Sequence, residues 1–195
     1  MTALTTSAPV LVVCTGNLCR SPLAAALLAA GLPGAAVSSA GTRAPEGAAP
    51  PVPTRERALA LGVDLDDHRA RRLVEGTVGR AGLVLTAARE HRRTVVTLVP
   101  RATRVTFTLR EFARLCVLVD PAEARAALDG RPPEARLRAA VALVAARRGI
   151  GPLSTPDDDD VVDPIGHGDS VYDRSTRQIV EAVDRVTHYL GAAVG

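Results

Sequence analysis

Residues 9–31 read Pro9-Val10-Leu11-Val12-Val13-Cys14-Thr15-Gly16-Asn17-Leu18-Cys19-Arg20-Ser21-Pro22-Leu23-Ala24-Ala25-Ala26-Leu27-Leu28-Ala29-Ala30-Gly31, and three kinds of local chemistry follow one another along them. Val10 to Val13 is short, apolar and mostly β-branched, as expected of a strand buried on both faces of a parallel sheet. Cys14 to Arg20 is a polar loop. Ser21, Pro22 and the apolar run from Leu23 to Ala30 read as a helix, with Ser21 as N-cap, proline at the first position and Gly31 as the stop. This succession puts the loop outside the carboxyl end of a strand, where α/β sheets bind their ligands.

Outward from this unit the alternation continues. Ala35 to Ser39 reads as a second strand and Thr54 to Leu61 as a helix ended by Gly62. Leu83 to Thr86 reads as another buried strand, followed by helical Ala87 to Arg93. From Leu109 to Arg148 the pattern is helical, in two or three helices interrupted at Asp129-Gly130-Arg131-Pro132-Pro133, with Cys116 in a helix core. Gly149 to Asp160, with Gly, Pro, Ser and four successive aspartates, has the composition of a solvated loop, and a last helix is expected over Ser170 to Leu190.

A chain of 195 residues fits one domain. Hydrophobic residues make up 47% of it but aromatics only 2%, so the core must be built from Ala, Val and Leu. All 24 cationic residues are arginine, scattered among 21 acids for a formal charge of +3; with no basic stripe, the pattern argues against nucleic acid as a partner. Three cysteines make a poor disulfide framework, and a reducing cytoplasm is the expected setting. Met1 to Pro9 lacks a basic start and the apolar run after it is too short for a signal or membrane span, so no membrane association is expected. The four histidines are dispersed and no Gly-x-x-x-x-Gly-Lys-Ser/Thr occurs, so neither a metal, a nucleotide nor any other cofactor is expected. Composition leaves the oligomeric state open.

The loop itself carries chemistry. If it curls around an anion, the backbone N–H groups of Thr15, Gly16, Asn17, Leu18, Cys19 and Arg20 form a nest, and the following helix adds its positive end to the same centre. Gly16 gives the backbone freedom to curl. The same field stabilises a thiolate, which makes Cys14 the expected nucleophile. Arg20, with five residues between it and Cys14, offers a planar fork matched to two phosphate oxygens. A thiolate that attacks phosphorus also needs a proton donor for the departing oxygen. Asp163 is the candidate, in Val161-Val162-Asp163-Pro164-Ile165-Gly166, where proline fixes a turn and the valines shield one side of the carboxyl from water. Taken alone, an Asp-Pro pair is a turn; its weight comes from the cysteine loop.

The stretch Val-Cys-Thr-Gly-Asn-Leu-Cys-Arg-Ser-Pro with the late Asp-Pro-Ile-Gly resembles the low-molecular-weight protein tyrosine phosphatase family. Ser39-Ala40-Gly41-Thr42, His68 to Leu73, Leu83 to Thr86 and Arg89 to Arg92 extend the likeness. The resemblance implies an α/β fold: a single doubly wound domain over residues 1–195, with a central parallel four-stranded sheet flanked by helices; the helical pattern and acidic run of 109–160 read as a helical insertion and acidic loop within it. It implies a phosphorylated protein or peptide as substrate, a Ser21 hydrogen bond to the Cys14 thiolate, and a network of Asn17, Ser39 and His68 that keeps the loop in shape. It also implies that Cys19 traps the oxidised nucleophile as a reversible disulfide. Each has a plainer reading: Ser21 an N-cap, Asn17 a turn former, His68 a surface histidine beside Asp66 and Asp67, Cys19 a small buried residue.

Residues 109–160 are longer and more helical than the family pattern, and Ile165, Gly166 and His167 follow the acid where tyrosines are expected. With only Phe107, Phe112, Tyr172 and Tyr189 available, Leu18 and Ile165 are expected to line the pocket for a phenyl ring. Three alternatives stand beside phosphotyrosine hydrolysis. A phosphoarginine phosphatase of the same fold tends to carry threonine at the position of Leu18. Arsenate reduction resembles a relay of two further cysteines, of which only Cys116 is present downstream. A regulatory module would bind phosphate without turnover.

Overall fold

The computed structural model describes residues 9–150 and 155–194. Residues 1–8, and residues 151–154 of the expected solvated loop, lie outside the described residues. The elements run β1 (Val10–Cys14), α1 (Arg20–Gly31), β2 (Val37–Gly41), α2 (Val52–Ala60), α3 (Glu75–Arg80), β3 (Leu83–Thr86) and α4 (Arg89–Leu98). A 3-10 turn (Pro100–Val105) then leads to β4 (Thr106–Thr108), α5 (Leu109–Cys116), α6 (Pro121–Leu128), α7 (Pro133–Ala145), α8 (Pro156–Asp159) and α9 (Asp169–Val194).

The four strands form one parallel sheet in the order β2-β1-β3-β4. The expected four-stranded α/β architecture is therefore the observed one. β1 lies inside the sheet, between its partners β2 and β3, and the strand order reverses beside it. A ligand site at the carboxyl end of β1 is what such a switch point favours.

Pleating divides the apolar residues of β1 between the two faces. Val10, Val12 and Cys14 pack into a large core with Leu23 and Leu28 of α1, Phe112 of α5, Val141 and Val144 of α7 and Ile179 and Val186 of α9. Leu11 and Val13 face a smaller one with Val78, Val84, Val95 and Val99. Each Leu or Val so buried contributes about 1.5–3 kcal/mol, and aliphatic residues do most of this work. Phe107, Phe112 and Tyr189 sit in the large core edge to face, with ring centroids 5.0 and 6.4 Å apart. That placement takes three of the four scarce aromatics away from β1's carboxyl end.

Several boundaries differ from expectation. β2 lies two residues later than Ala35 to Ser39, because its register runs from Val10↔Val37 to Cys14↔Gly41. α1 starts at Arg20, so Ser21 and Pro22 are inside its first turn; Cys19 is the N-cap and makes no side-chain capping bond. Ser21 has more demanding partners, given below. α4 begins at Arg89 and runs on to Leu98, and α9 extends to Val194.

The acidic run is solvated only in part: Asp157 and Asp158 are exposed as expected, but they lie in a helical turn and the two residues after them are tied down. Asp159 is buried and paired with Arg114, and Asp160 Oδ1 accepts from the backbone N–H of Arg89 at 2.8 Å. Composition predicted solvation because partners in α4 and α5 are invisible to it. In α5 itself the start is well specified: Thr108 and Glu111 form a reciprocal capping box.

Candidate functional site

Gly41, at the end of β2, lets the Cys14–Arg20 loop close against the sheet. A Cβ there would stand 2.6 Å from the Thr15 carbonyl oxygen and 2.9 Å from Asn17 N, closer than real side chains come. Thr42 N donates to Cys14 O and Arg43 N to Thr15 O, both at 2.9 Å, so the loop's first two carbonyls are fixed from outside.

Asn17 holds the rest. It is fully buried with φ 54°, a left-handed conformation that asparagine tolerates better than most residues. Its Oδ1 accepts from Arg71 N at 3.0 Å, which fixes the orientation of the amide. Nδ2 then donates to Ser39 Oγ at 2.8 Å and to Ser21 Oγ at 3.0 Å, while Asn17 O accepts from His68 Nε2 at 2.9 Å. Burial lowers the affinity of His68 for a proton, with Arg71 and Arg69 adding to it and the Asn17 carbonyl opposing it. The structure thus brings Asn17, Ser39 and His68 together.

Cys14 Sγ lies 3.0 Å from Ser21 Oγ and accepts from Asn17 N at 3.2 Å. Asn17 already donates to the serine oxygen, and the Ser21 hydroxyl hydrogen has the sulfur at 3.0 Å as a nearer acceptor than Ala40 O at 3.5 Å. An anionic sulfur there has two directed donors, and the helix start of α1 beside it.

Arg20 is 5% exposed, and its guanidinium makes three bonds: Nη1 donates to Val161 O at 3.3 Å, and Nη2 to Thr15 Oγ1 at 3.3 Å and Asp163 Oδ2 at 2.5 Å. Asp163, 143 residues away in sequence, is 45% exposed, with Oδ1 accepting from Ile165 N at 3.3 Å in a turn over Pro164. Cys14, Thr15, Gly16, Leu18, Cys19, Arg20, Asp163 and Ile165 line one cavity of about 140 Å³. Leu18 and Ile165 supply its apolar wall, while Tyr172 is buried beside Arg57, whose guanidinium carbon lies 5.2 Å from the ring centre.

Cys19, at the head of α1, is buried, and burial pushes its thiol up to about 11, with Cys14 and Asp163 adding to the effect. It stays a neutral thiol at physiological pH. Cys116 is buried in α5, its thiol likewise raised by burial. Among the described residues, no three of His, Cys, Asp and Glu come together as a metal site. No helix is long and apolar enough to cross a membrane among those residues.

His91 is a site residue that the sequence reading did not single out. Its Nε2 is 2.8 Å from Thr15 Oγ1 and 3.3 Å from Glu90 Oε1, while the buried Nδ1 has no hydrogen-bond partner. An unpaired buried acceptor costs less than an unpaired N–H, so the proton belongs on Nε2 and is donated to Thr15. The available signal was position: His91 follows β3, whose carboxyl end adjoins that of β1. Burial, then Arg20 and Arg43, push its pKa down to about 4.

This has a measurable consequence. The unfolded chain takes up a proton on this ring near 6.5 whereas the folded one resists until about 4, so its contribution to stability is complete above the first value and is lost as pH falls toward the second. The loss is at most about 3 kcal/mol. Denaturant unfolding at a series of pH values should show wild type weakening across that window more steeply than His91→Gln; superimposable profiles would refute it.

A family model described as "Low molecular weight phosphotyrosine protein phosphatase" matches residues 9–127. "Probable low molecular weight protein-tyrosine-phosphatase EpsP" of Ralstonia solanacearum is 42% identical over 103 residues, 52% of this chain and 70% of that protein. "Protein-arginine-phosphatase" of Geobacillus stearothermophilus is 40% identical over 104 residues, 53% of this chain and 70% of that protein. Among solved structures, the tyrosine phosphatase Wzb of Escherichia coli K30 in complex with sulphate superposes with a TM-score of 0.68 at 21% identity, over 95% of this chain and 99% of that one. At that identity the likeness speaks for the fold. The family match ends before Asp163, whose place beside Arg20 rests on the geometry alone.

Proposed function

The chain belongs to the low molecular weight phosphotyrosine protein phosphatase family, and from that premise we propose that it hydrolyses phosphotyrosine in proteins and peptides through a cysteinyl-phosphate intermediate. The observation that carries this reading is the pairing of a sulfur held by two donors with an arginine and a carboxyl at the mouth of one small cavity.

The Cys14 thiolate attacks phosphorus in line with the tyrosine oxygen. The S–P bond forms as the P–O bond breaks, and the Asp163 carboxyl gives its proton to the departing phenolate. Arg20 turns its fork to two equatorial oxygens, and the nest of Thr15 to Arg20 takes the rest of the charge. The dianion displaces Asp163 from Arg20, which leaves the carboxyl beside the departing oxygen. In the second half, Asp163 takes a proton from water as the water oxygen attacks phosphorus, the S–P bond breaks and inorganic phosphate leaves. Ser21 steadies the sulfur as leaving group. Asn17, Ser39 and His68 maintain the loop's shape between turnovers, and His91 orients the Thr15 hydroxyl. Cys19, close enough for Cys14 to act on its thiol electrostatically, serves as the resolving partner when Cys14 is oxidised to a sulfenic acid, forming a disulfide with loss of water. The three unpaired cysteines fit a reducing cytoplasm.

Leu18 and Ile165 favour an aryl group over a guanidinium. A phenyl ring gains from apolar walls, whereas the N–H groups of phosphoarginine would face them unpaired. The competing reading is kept in view by the 40% identity to a protein named as an arginine phosphatase. Phosphotyrosine and phosphoarginine peptides of one sequence should differ in kcat/KM by at least roughly 10-fold in favour of tyrosine, and Asp163→Asn should lower turnover of the tyrosine peptide by about 10²–10⁴-fold. Preference for the arginine peptide would overturn the substrate assignment while leaving the phosphatase reading intact.

A further inference from the structure

The backbone that delivers Asp163 is pinned residue by residue. Val161 N donates to Ala87 O at 2.8 Å, Val161 O accepts from Arg20, and Val162 N donates to Gln178 Oε1 at 3.0 Å. Immediately before it comes the acidic turn of α8, tied to a different element. Arg110 Nη1 donates to the carbonyls of Asp157 and Asp160, the latter at 2.9 Å, and Arg114 Nη2 donates to Asp159 Oδ1 at 3.0 Å. Both arginines lie on α5, one helical turn apart, and therefore on the same face of that helix. Asp160 closes the arrangement by accepting from Arg89 N at the start of α4.

We propose that Arg110 and Arg114 are positioning residues for the reaction: by clamping residues 157–160 they set the backbone from which Asp163 reaches the leaving oxygen. The inference rests on the reading of Asp163 as proton donor. Asp163 is short and nearly half exposed, and its side chain meets only Arg20 and the Ile165 N–H among the contacts described above, so where its carboxyl sits depends on where its backbone is held. Arg110 bonds backbone carbonyls rather than side chains, which makes it a restraint on chain path. Arg114 faces a carboxylate that is itself buried, and such a group keeps its place only while its charge is compensated. Asp157, Asp159 and Asp160 thus serve the site at a distance.

Misplacing a proton donor slows only what needs the proton. The test is therefore the first-turnover release of phenol from phenyl phosphate, whose leaving group is basic, against that of nitrophenol from p-nitrophenyl phosphate, whose leaving group departs with little help. The Arg110→Ala/Arg114→Ala double variant should be slowed roughly 30-fold on the first and no more than about 3-fold on the second, with inhibition by inorganic phosphate unchanged within about twofold. Arg114→Lys, which keeps a cation beside Asp159, should restore most of the loss in an otherwise Arg110-intact chain, relative to Arg114→Ala. Asp163→Asn should show the same split more strongly. Equal slowing on both substrates, weakened phosphate binding, or wild-type rates in the double variant would each overturn the proposal. If Asp163→Asn alone shows no split, the assignment of the proton donor fails and the clamp's role falls with it, a result distinguishable from failure of the arginines alone.

Discussion

Cys14→Ser should reduce turnover of any aryl phosphate by at least roughly 10⁴-fold, in the range seen when other enzymatic nucleophiles are removed. The reason lies in what the loop provides. Two donors, Ser21 Oγ at 3.0 Å and Asn17 N at 3.2 Å, converge on the atom at this position. They would donate to the charge on an attacking sulfur, and a serine hydroxyl is a far weaker nucleophile in the same place. Binding should survive, because the nest consists of backbone N–H groups and Arg20, all of which remain. Titration with inorganic phosphate, followed by a rapid-quench search for a protein-bound phosphoryl group, separates the two effects. Wild-type protein should trap the adduct and the variant should bind phosphate without trapping it. Activity of the variant within about 10-fold of wild type would remove Cys14 from the chemistry.

Arg20→Lys should cost about 10³-fold in kcat with a much smaller change in KM, because the fork matters most when charge spreads over the equatorial oxygens. The substitution keeps the charge, so it tests shape. Arg20 makes bonds to Val161 O, Thr15 Oγ1 and Asp163 Oδ2 through two separate nitrogens, which one ammonium cannot reproduce at those positions. The site is also 5% exposed, and an ammonium, being more strongly hydrated than a guanidinium, loses more on entering it. Steady-state kinetics with an aryl phosphate decide the matter. A variant with unchanged kcat would show that the residue supplies charge alone.

β1 and β3 were legible because buried parallel strands are runs of apolar residues wherever they occur; Leu83 to Thr86 is a strand residue for residue. β4, three residues with two threonines, has no pattern of its own, and its place is secured by pairing with β3. Ser21 shows where local rules stop. A serine before Pro22 in a helix start reads as a cap, yet here its hydroxyl faces Cys14 Sγ and Asn17 Nδ2, a buried pair with a stronger claim on it than a helix N–H. His91 and the acidic run were missed or misread for one reason. Their partners are 76, 47 and 45 residues away, and composition within a window says nothing about them.

The interior position of β1 bears on how such a chain reaches its native state. Its parallel neighbours arrive through crossovers, and the bonds that shape the Cys14–Arg20 segment come from Arg71, His68 and Val161, up to 141 residues away. Contacts of that span are rewarded only after the entropy of closing long stretches of chain has been met, so they form late and slowly. The hold of Ser21 and Asn17 on the Cys14 sulfur is consequently completed as one of the last acts of folding.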